Sequence, residues 1–258
     1  MFKYLRVLAR WIPYLIYSYF AWILPYSIHP EKYDLEIRFK KVKKLCSRIL
    51  DAFHVEKNSI GLEKFLKEKG NQNTLLVSNH LSFLDPVYYV SISEKPISFV
   101  AKEEVRKMIF VGRIVKILDG EFINRDDLKQ ELRAFLRVQD HLKNKNMDYI
   151  IFPEGTRNKH PEGSIPFYHY GTFRPAYKLH LPIEICVLSG SQRILDIKCN
   201  KKYYPVTCEF IKCLKYDEYK DMNTTQIAEE AHELTNESYS KIKEQNDRLF
   251  IERNSKKK

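Results

Sequence analysis

A histidine and an aspartate spaced for proton transfer lie in segment 78–86, Ser-Asn-His-Leu-Ser-Phe-Leu-Asp-Pro. On a straight helix, His80 and Asp85 would point about 140° apart, so their contact requires a loop. The apolar run before the segment predicts a strand, and the sequence predicts a helix start with Asp85 as N-cap and Pro86 at the next position. In such a loop, the carboxylate would fix the imidazole tautomer and leave the other ring nitrogen to accept a proton. The pattern therefore predicts His80 as a general base oriented by Asp85. The alternative is a simple helix cap beside an ordinary loop histidine.

Three further blocks follow this segment in the chain. A buried run leads into a polar turn in segment 150–157, Ile-Ile-Phe-Pro-Glu-Gly-Thr-Arg. Shorter blocks are found at 120–125, Gly-Glu-Phe-Ile-Asn-Arg, and at 181–183, Leu-Pro-Ile. Any one block alone is a weak signal. Together and in this order, the four blocks resemble the glycerolipid acyltransferase family over about residues 75–188.

This resemblance implies a reaction and a set of site residues. The expected reaction moves an acyl chain from an acyl thioester, either acyl-CoA or acyl-carrier protein, to the free hydroxyl of 1-acylglycerol 3-phosphate. The product would be phosphatidic acid, an intermediate of phospholipid biosynthesis. Glycerol 3-phosphate or another lysophospholipid is the alternative acceptor. The reaction needs a base, cations for the phosphate and donors for the oxyanion. His80 and Asp85 are the catalytic candidates, and the substrate-binding candidates are Lys102, Arg125, Glu154, Gly155, Thr156 and Arg157.

Two of these positions leave alternatives open. Glu154 could be a second acid or base, but a binding or structural role is favoured, in which it accepts hydrogen bonds from the acceptor or holds Arg157. The run 167–174, Phe-Tyr-His-Tyr-Gly-Thr-Phe-Arg, resembles a family stretch that more often has lysine in place of Tyr168. That difference leaves open how the ligand is held there.

A covalent serine intermediate and a resident cofactor are both disfavoured. No Gly-x-Ser-x-Gly pattern occurs, since Ser191 lacks the second glycine, so direct attack by the acceptor hydroxyl is favoured. The five cysteines have no zinc-site spacing, and no glycine-rich phosphate loop or dinucleotide fingerprint is present. We therefore expect no metal and no cofactor beyond the thioester co-substrate.

Alternating strand and helix patterns position these residues. They indicate an α/β fold, a mostly parallel sheet flanked by helices. Ligands of such sheets bind beyond the carboxyl ends of the strands, where His80, Arg125 and Glu154 are found. The predicted strands are 74–78, 97–101, 120–123, 149–152 and 183–188, with 206–214 as an edge strand; the clearest predicted helices are 127–143 and 223–250.

The N-terminal part of the chain has a different character. Residues 11–28 carry no charge and include both tryptophans. As a helix they would reach about 27 Å, barely a bilayer core, and Pro25 is expected to end the helix early. The aromatic side chains favour the headgroup interface, so a helix lying in one leaflet is favoured over a full span or a cleaved signal peptide.

Residues 35–53 form a basic amphipathic pattern, which predicts either a membrane-surface helix or a helix that covers a sheet with a charged outer side. We favour an N-terminal two-helix membrane-binding module at 1–54, an acyltransferase α/β domain at 55–253 and a disordered basic tail at 254–258. The expected location is the cytoplasmic face of the cell membrane, as a monotopic or peripheral protein.

Composition limits the partners. The chain has 258 residues, 44% of them hydrophobic, and a net charge of +11. Such a charge favours an anionic partner: a phospholipid surface, an acyl-carrier protein or nucleic acid. Nucleic acid is disfavoured because no recognised binding motif occurs. A thioesterase or lipase, which would use water as acceptor, is disfavoured by the cations that follow the strands.

Overall fold

Seven strands form one sheet in the computed structural model, which describes residues 11–255. The strands are β1 (Val55–Ile60), β2 (Leu75–Ser78), β3 (Ile97–Lys102), β4 (Glu121–Ile123), β5 (Asp148–Ile151), β6 (Ile183–Ser189) and β7 (Tyr204–Leu214), in the spatial order β1-β7-β6-β2-β5-β3-β4. Neighbours from β6 to β4 are parallel, β7 is antiparallel to β6, and β1 is parallel to β7. The predicted α/β fold with a mostly parallel sheet is confirmed.

One strand prediction was wrong. The segment near 206–214 is not at the edge of the sheet, because β7 lies between β6 and β1. The edge strand β1 was not predicted. Its sequence, Val-Glu-Lys-Asn-Ser-Ile, buries little besides Val55, so it lacks the apolar run that identifies the inner strands.

Helices cover both faces of the sheet. They are α1 (11–28), α2 (Leu35–Ala52), α3 (Leu62–Lys69), α4 (Asp85–Ile92), α5 (Val111–Ile117), α6 (Leu128–Asn144), α7 (Arg174–Leu179), α8 (Tyr216–Tyr219) and α9 (Thr224–Ser255). Short 3-10 turns are Pro30–Lys32, Glu103–Lys107, Tyr170–Phe173 and Ser191–Arg193. One core lies between the sheet and α1 to α5, and the other between the sheet and α6, α7 and α9.

Pro25 does not end α1, contrary to the prediction. The middle of α1 is a π-helical turn, Tyr19–Ile23, in which the Leu24 amide donates to the Tyr19 carbonyl. This wider turn gives room for a proline, which lacks the amide hydrogen and crowds the preceding turn. Among residues 11–255, no helix combines the length and the apolarity needed to cross a membrane.

Helix α2 is part of the core of the domain. Its Phe39, Val42 and Leu50 are buried against the same core as the sheet residues. Arg38, one of the basic residues of this amphipathic helix, is buried, and its guanidinium forms an ion pair of 2.8 Å with Asp119. The packing therefore matches the alternative of a helix that covers a sheet. Trp22 and Ile23 of α1 pack in the same core.

The last helix is longer than predicted. The start of the helix has a capping box, since Asn223 and Gln226 exchange side chain to backbone hydrogen bonds of 2.8 and 3.0 Å. The helix continues to Ser255, and the Asn254 side chain donates to the Tyr203 carbonyl at 2.9 Å. Residues 254 and 255 thus belong to α9 and not to a disordered tail. Residues 256–258, like 1–10 of the predicted N-terminal module, lie outside the described residues.

Candidate active site

Polar residues from four strand ends meet at one edge of the sheet. His80 follows β2, Arg125 follows β4, Glu154 follows β5, and the turn at Ser191 follows β6. Because these strands are parallel, their carboxyl ends lie on the same side. The topology therefore brings together residues that are far apart in the sequence.

His80 and Asp85 are in contact, as their spacing predicted. The distance from His80 Nδ1 to Asp85 Oδ2 is 2.8 Å. The Asp85 side chain is fully buried, whereas 18% of the His80 side chain remains exposed. The imidazole ring stacks on Phe152, with 4.3 Å between the ring centroids. The histidine thus has one ring nitrogen on a buried carboxylate and its ring plane fixed by an aromatic neighbour.

Asp85 is not the N-cap of α4, contrary to the prediction. Leu84 occupies that position, and Asp85 is the first helical residue. Its carboxylate points back to the loop, where Oδ2 accepts from the amides of Leu81 at 2.7 Å and Ser82 at 2.8 Å. Since the carboxylate is an acceptor, His80 donates through Nδ1–H, and Nε2 is left to accept a proton.

The turn after β5 holds the backbone of His80. The His80 amide donates to Glu154 Oε1, and the Asn158 amide donates to the His80 carbonyl, each at 2.7 Å. Burial raises the pKa of the Glu154 carboxyl to about 8. Its Oε2 has no hydrogen-bond partner among the described residues. Glu154 holds the His80 backbone, whereas the prediction named Arg157 or the acceptor as its partner.

Arg125 lies directly against Gly155. Gly155 has φ +68°, and a Cβ atom there would lie 1.5 Å from Arg125 Nη2. The guanidinium therefore occupies the space that any other side chain at Gly155 would need. Two independent features favour glycine at this turn: its positive φ, and the close approach of the Arg125 guanidinium, which would have to shift to make room for a side chain.

A cavity of about 980 Å³ connects the predicted site residues. Its lining includes six of the predicted site residues: His80, Lys102, Arg125, Gly155, Thr156 and Arg157. Asp85 and Glu154 are buried and do not line it. Apolar side chains of α1, α2 and α5 also line the cavity: Leu15, Leu45, Cys46, Ile49 and Ile114. The cavity thus combines cations and a histidine with an apolar lining.

Several residues of the site were not predicted. Ser191 donates to Asp85 Oδ1 at 2.6 Å, although it is 106 residues away in the sequence. His169 and Arg174 also line the cavity, within the run already singled out as a family stretch. Tyr168 of that run is fully buried outside the cavity lining. The unusual tyrosine therefore belongs to the core, and Arg174 is a cation that this stretch contributes to the cavity.

Comparison with known proteins gives the family. A model of the Acyltransferase family matches residues 56–189, which is more than half of the chain. The chain belongs to the acyltransferase family. The matched region of this acyltransferase contains His80, Asp85 and all six predicted substrate-binding residues.

Two named relatives and one solved structure are similar to this acyltransferase. It is 26% identical over 265 residues to a probable 1-acyl-sn-glycerol-3-phosphate acyltransferase of Mycoplasma genitalium, with 95% of both chains covered. It is 32% identical over 178 residues to a protein of the same name from Mycoplasma pneumoniae, covering 67% of this chain and 64% of the relative. The crystal structure of the 1-acyl-sn-glycerophosphate acyltransferase of Thermotoga maritima has a similar fold, with a TM-score of 0.70 at 21% identity over 93% of this chain and 95% of that one.

Proposed function

We propose that this acyltransferase transfers an acyl chain from an acyl thioester to the free hydroxyl of 1-acylglycerol 3-phosphate, giving phosphatidic acid. The observation that carries the proposal is the His80–Asp85 pair at a cavity whose lining combines cations with apolar side chains. The names of the relatives support the same acceptor. Acyl-CoA and acyl-carrier protein both supply a thioester and are both proposed donors.

His80 is proposed as the general base. Nε2 takes the proton from the acceptor hydroxyl while the oxygen attacks the thioester carbonyl. Asp85 stabilises the resulting imidazolium through Nδ1–H. When the tetrahedral intermediate collapses, the carbon–sulfur bond breaks and the thiolate receives the proton from His80. Ser191 is disfavoured as a nucleophile because its hydroxyl is buried and donates to Asp85.

The lining of the cavity suits a phosphate and an acyl chain. Arginine forks match phosphate oxygens, and Arg125 and Arg157 both line the cavity. Lys102 adds a further cation to the lining. The apolar lining residues offer burial for an acyl chain, which is stabilised by about 0.8 kcal/mol per buried CH₂. A substrate with one phosphate and one chain therefore matches the residues that line the cavity.

The proposal includes attachment to the cytoplasmic face of the membrane without a span. Several large apolar side chains of α1 are exposed, among them Tyr17 at 69% and Phe20 at 67%. Ile109, close in sequence to a cavity-lining segment of α5, is 68% exposed. The net charge of +11 favours anionic lipids. Exposed apolar groups on α1, which also lines the cavity through Leu15, would let a lipid enter from the bilayer.

Purified protein assayed with a panel of acceptors and both donors tests this proposal. The turnover of lysophosphatidic acid should exceed that of monoacylglycerol, which has the same reacting hydroxyl without a phosphate, by roughly 100- to 10,000-fold. This range follows from two lost hydrogen bonds to a charged group at about 1.5–3 kcal/mol each. If glycerol 3-phosphate or another lysophospholipid reacted faster than lysophosphatidic acid, that compound would be the acceptor instead. Release of free fatty acid without transfer would instead indicate a thioesterase.

Arg157→Ala separates phosphate binding from a structural role. Turnover of lysophosphatidic acid should fall, and the slow monoacylglycerol reaction should stay nearly unchanged. Lys159→Ala, an exposed cation two residues away that does not line the cavity, is the matched control. If Arg157→Ala lowered both reactions by the same factor, the phosphate role of Arg157 would have to be withdrawn.

A further inference from the structure

Ser191 lies in a buried turn that the reaction described above does not use. The turn follows β6 through Gly190, whose φ is +96°, and Ser191 begins the 3-10 turn Ser191–Arg193. The Ser191 side chain is almost fully buried and does not line the large cavity. Its hydroxyl donates to Asp85 Oδ1 at 2.6 Å. Ser191 therefore contacts the orienting carboxylate and cannot touch a substrate in that cavity.

The two oxygens of Asp85 have different partners. Oδ2 accepts from His80 Nδ1 and from the amides of Leu81 and Ser82, at 2.7 to 2.8 Å. Oδ1 accepts from Ser191. The terminal torsion of an aspartate has broad, roughly two-fold preferences and does not by itself fix which oxygen faces the histidine. A donor on Oδ1 fixes the plane of the carboxylate from the opposite side.

The turn that carries Ser191 is held from two directions. The Asn79 side chain, adjacent to His80, accepts from the Leu188 amide at 2.7 Å and donates to the Leu188 carbonyl at 3.0 Å. On the other side, a Cβ at Gly190 would lie 2.5 Å from the Pro205 carbonyl and from Asn246 Oδ1. The turn thus has contacts with the end of β2 and with α9, which leave Ser191 little freedom to move away from Asp85.

We propose that Ser191 is a positioning residue for acyl transfer, which locks the Asp85 carboxylate in the orientation that presents Oδ2 to His80. The hydroxyl acts through Asp85 and stays out of the chemistry. This inference rests on the proposed role of His80 as the base. It gives the catalytic histidine an indirect support, through Asp85, from a residue 106 positions from that aspartate.

Steady-state kinetics of paired variants test the proposal. Ser191→Ala should lower kcat roughly 10- to 100-fold, the usual size of a lost hydrogen bond to a charged group, with KM for both substrates changed less than about twofold. Ser191→Thr and Ser191→Val have nearly the same volume, so any cost of packing is common to both. Ser191→Thr should restore activity and Ser191→Val should not. Equal activity of these two variants would overturn the proposal, whether or not Ser191→Ala folds.

A control and a spectroscopic measurement separate this inference from the proposed function. Ser189 is a buried serine at the end of β6, and its hydroxyl has no hydrogen-bond partner among the described residues. Ser189→Ala should leave kcat unchanged.

Proton NMR should show a downfield Nδ1–H resonance of His80. This resonance should move in Ser191→Val and stay at its wild-type position in Ser191→Thr and Ser189→Ala. An unmoved resonance in Ser191→Val would overturn the inference. This signal can be read even if the wild-type chain does not acylate lysophosphatidic acid, an outcome that would count against the proposed function alone.

Discussion

Nε2 is the ring nitrogen of His80 left to accept a proton, and the other polar groups of the residue each have a hydrogen-bond partner. Asp85 holds Nδ1, Phe152 stacks on the ring, and the backbone amide and carbonyl are bound by Glu154 and Asn158. Each contact removes one way in which the imidazole could turn away from a substrate. A base held in this orientation loses little further conformational entropy when it reacts. Such pre-orientation is a large part of enzymatic rate enhancement.

Removing the imidazole should therefore affect chemistry far more than folding. We expect His80→Ala to lower turnover roughly 100- to 10,000-fold, the usual contribution of general-base catalysis, because the partly exposed ring contributes little to the core. Asp85→Asn should lower both turnover and stability, since an amide cannot accept from all the donors around the buried carboxylate. Steady-state kinetics and urea denaturation check both variants. Near-normal turnover of His80→Ala would rule out the proposed mechanism.

Glu154 predicts a dependence of stability on pH. Burial raises its pKa to about 8, above its ordinary value of 4.5, so the folded state keeps a proton that the unfolded state loses. Its contribution is fully present below pH 4.5 and is lost as the pH rises through 8. Between pH 4.5 and 8, the loss of the Glu154 proton lowers the free energy of unfolding by up to about 1.4 kcal/mol per pH unit. Glu154→Gln should reduce this decline and keep most activity, because the amide oxygen still accepts from the His80 amide.

Urea denaturation between pH 5 and 9 measures this effect. Glu184 is the matched control, because burial also raises its pKa to about 8 and it lies outside the cavity lining. Glu184→Gln should reduce the decline similarly without any change in activity. The two variants could instead show the same dependence of stability on pH while only Glu154→Gln lost most of its activity. That result would indicate that Glu154 acts as an acid or base.

Turns between elements decide where the cations lie. The loop after β4 carries Arg125, and the turn after β5 carries Gly155, which has no side chain to push the guanidinium away. Neither turn has a distinctive pattern of its own, but the parallel sheet places them together. The position of the phosphate-binding candidates is thus a property of the pair of turns and not of one segment.

Gly155→Ala should displace Arg125. The added Cβ would overlap the guanidinium, and the positive φ adds about 1 kcal/mol of strain. We expect turnover of lysophosphatidic acid to fall at least tenfold, with a smaller change for monoacylglycerol. In an Arg125→Ala background the same substitution should cost much less, and a double-mutant cycle measures this coupling. Gly163→Ala, whose Cβ would approach nothing closer than 3.6 Å, is the control. Additive effects of the two substitutions would contradict the assigned contact.

Local patterns predicted the inner strands, the long helices and the contact between His80 and Asp85. The buried strands are continuous apolar runs, and five-residue spacing across a loop leaves few other geometries. The edge strand β1 was missed because its residues are mostly polar. Ser191 and the burial of Arg38 were missed because their partners, Asp85 and Asp119, are distant in the sequence. Long-range pairing of polar groups leaves no periodic signal along a chain.

At the scale of the whole molecule, the cavity is built jointly by the sheet and the N-terminal helices. Residues at the strand ends line it together with apolar side chains of α1, α2 and α5. Helix α1 is fixed to α5 by Arg113, which donates to the Tyr19 hydroxyl at 3.1 Å and to the Ser27 hydroxyl at 2.8 Å. The helix that exposes Tyr17 and Phe20 therefore also contributes Leu15 to the lining of the proposed acyl channel. Attachment to a bilayer through α1 would place the channel beside the lipid.

This arrangement predicts that membrane binding and lipid access depend on the outer face of α1. Tyr17→Ser combined with Phe20→Ser should reduce sedimentation with anionic vesicles by at least tenfold, because each large apolar side chain contributes about 1.5–3 kcal/mol on burial. Both side chains are about two-thirds exposed, so stability should change little. Turnover of vesicle-bound lysophosphatidic acid should fall in parallel, and turnover of a dispersed short-chain substrate should be retained. Ile251→Ser, at an equally exposed position on α9, should alter neither vesicle binding nor turnover. If the double variant sedimented with vesicles to the same extent as the wild type, the assignment of α1 as the membrane-binding surface would be wrong.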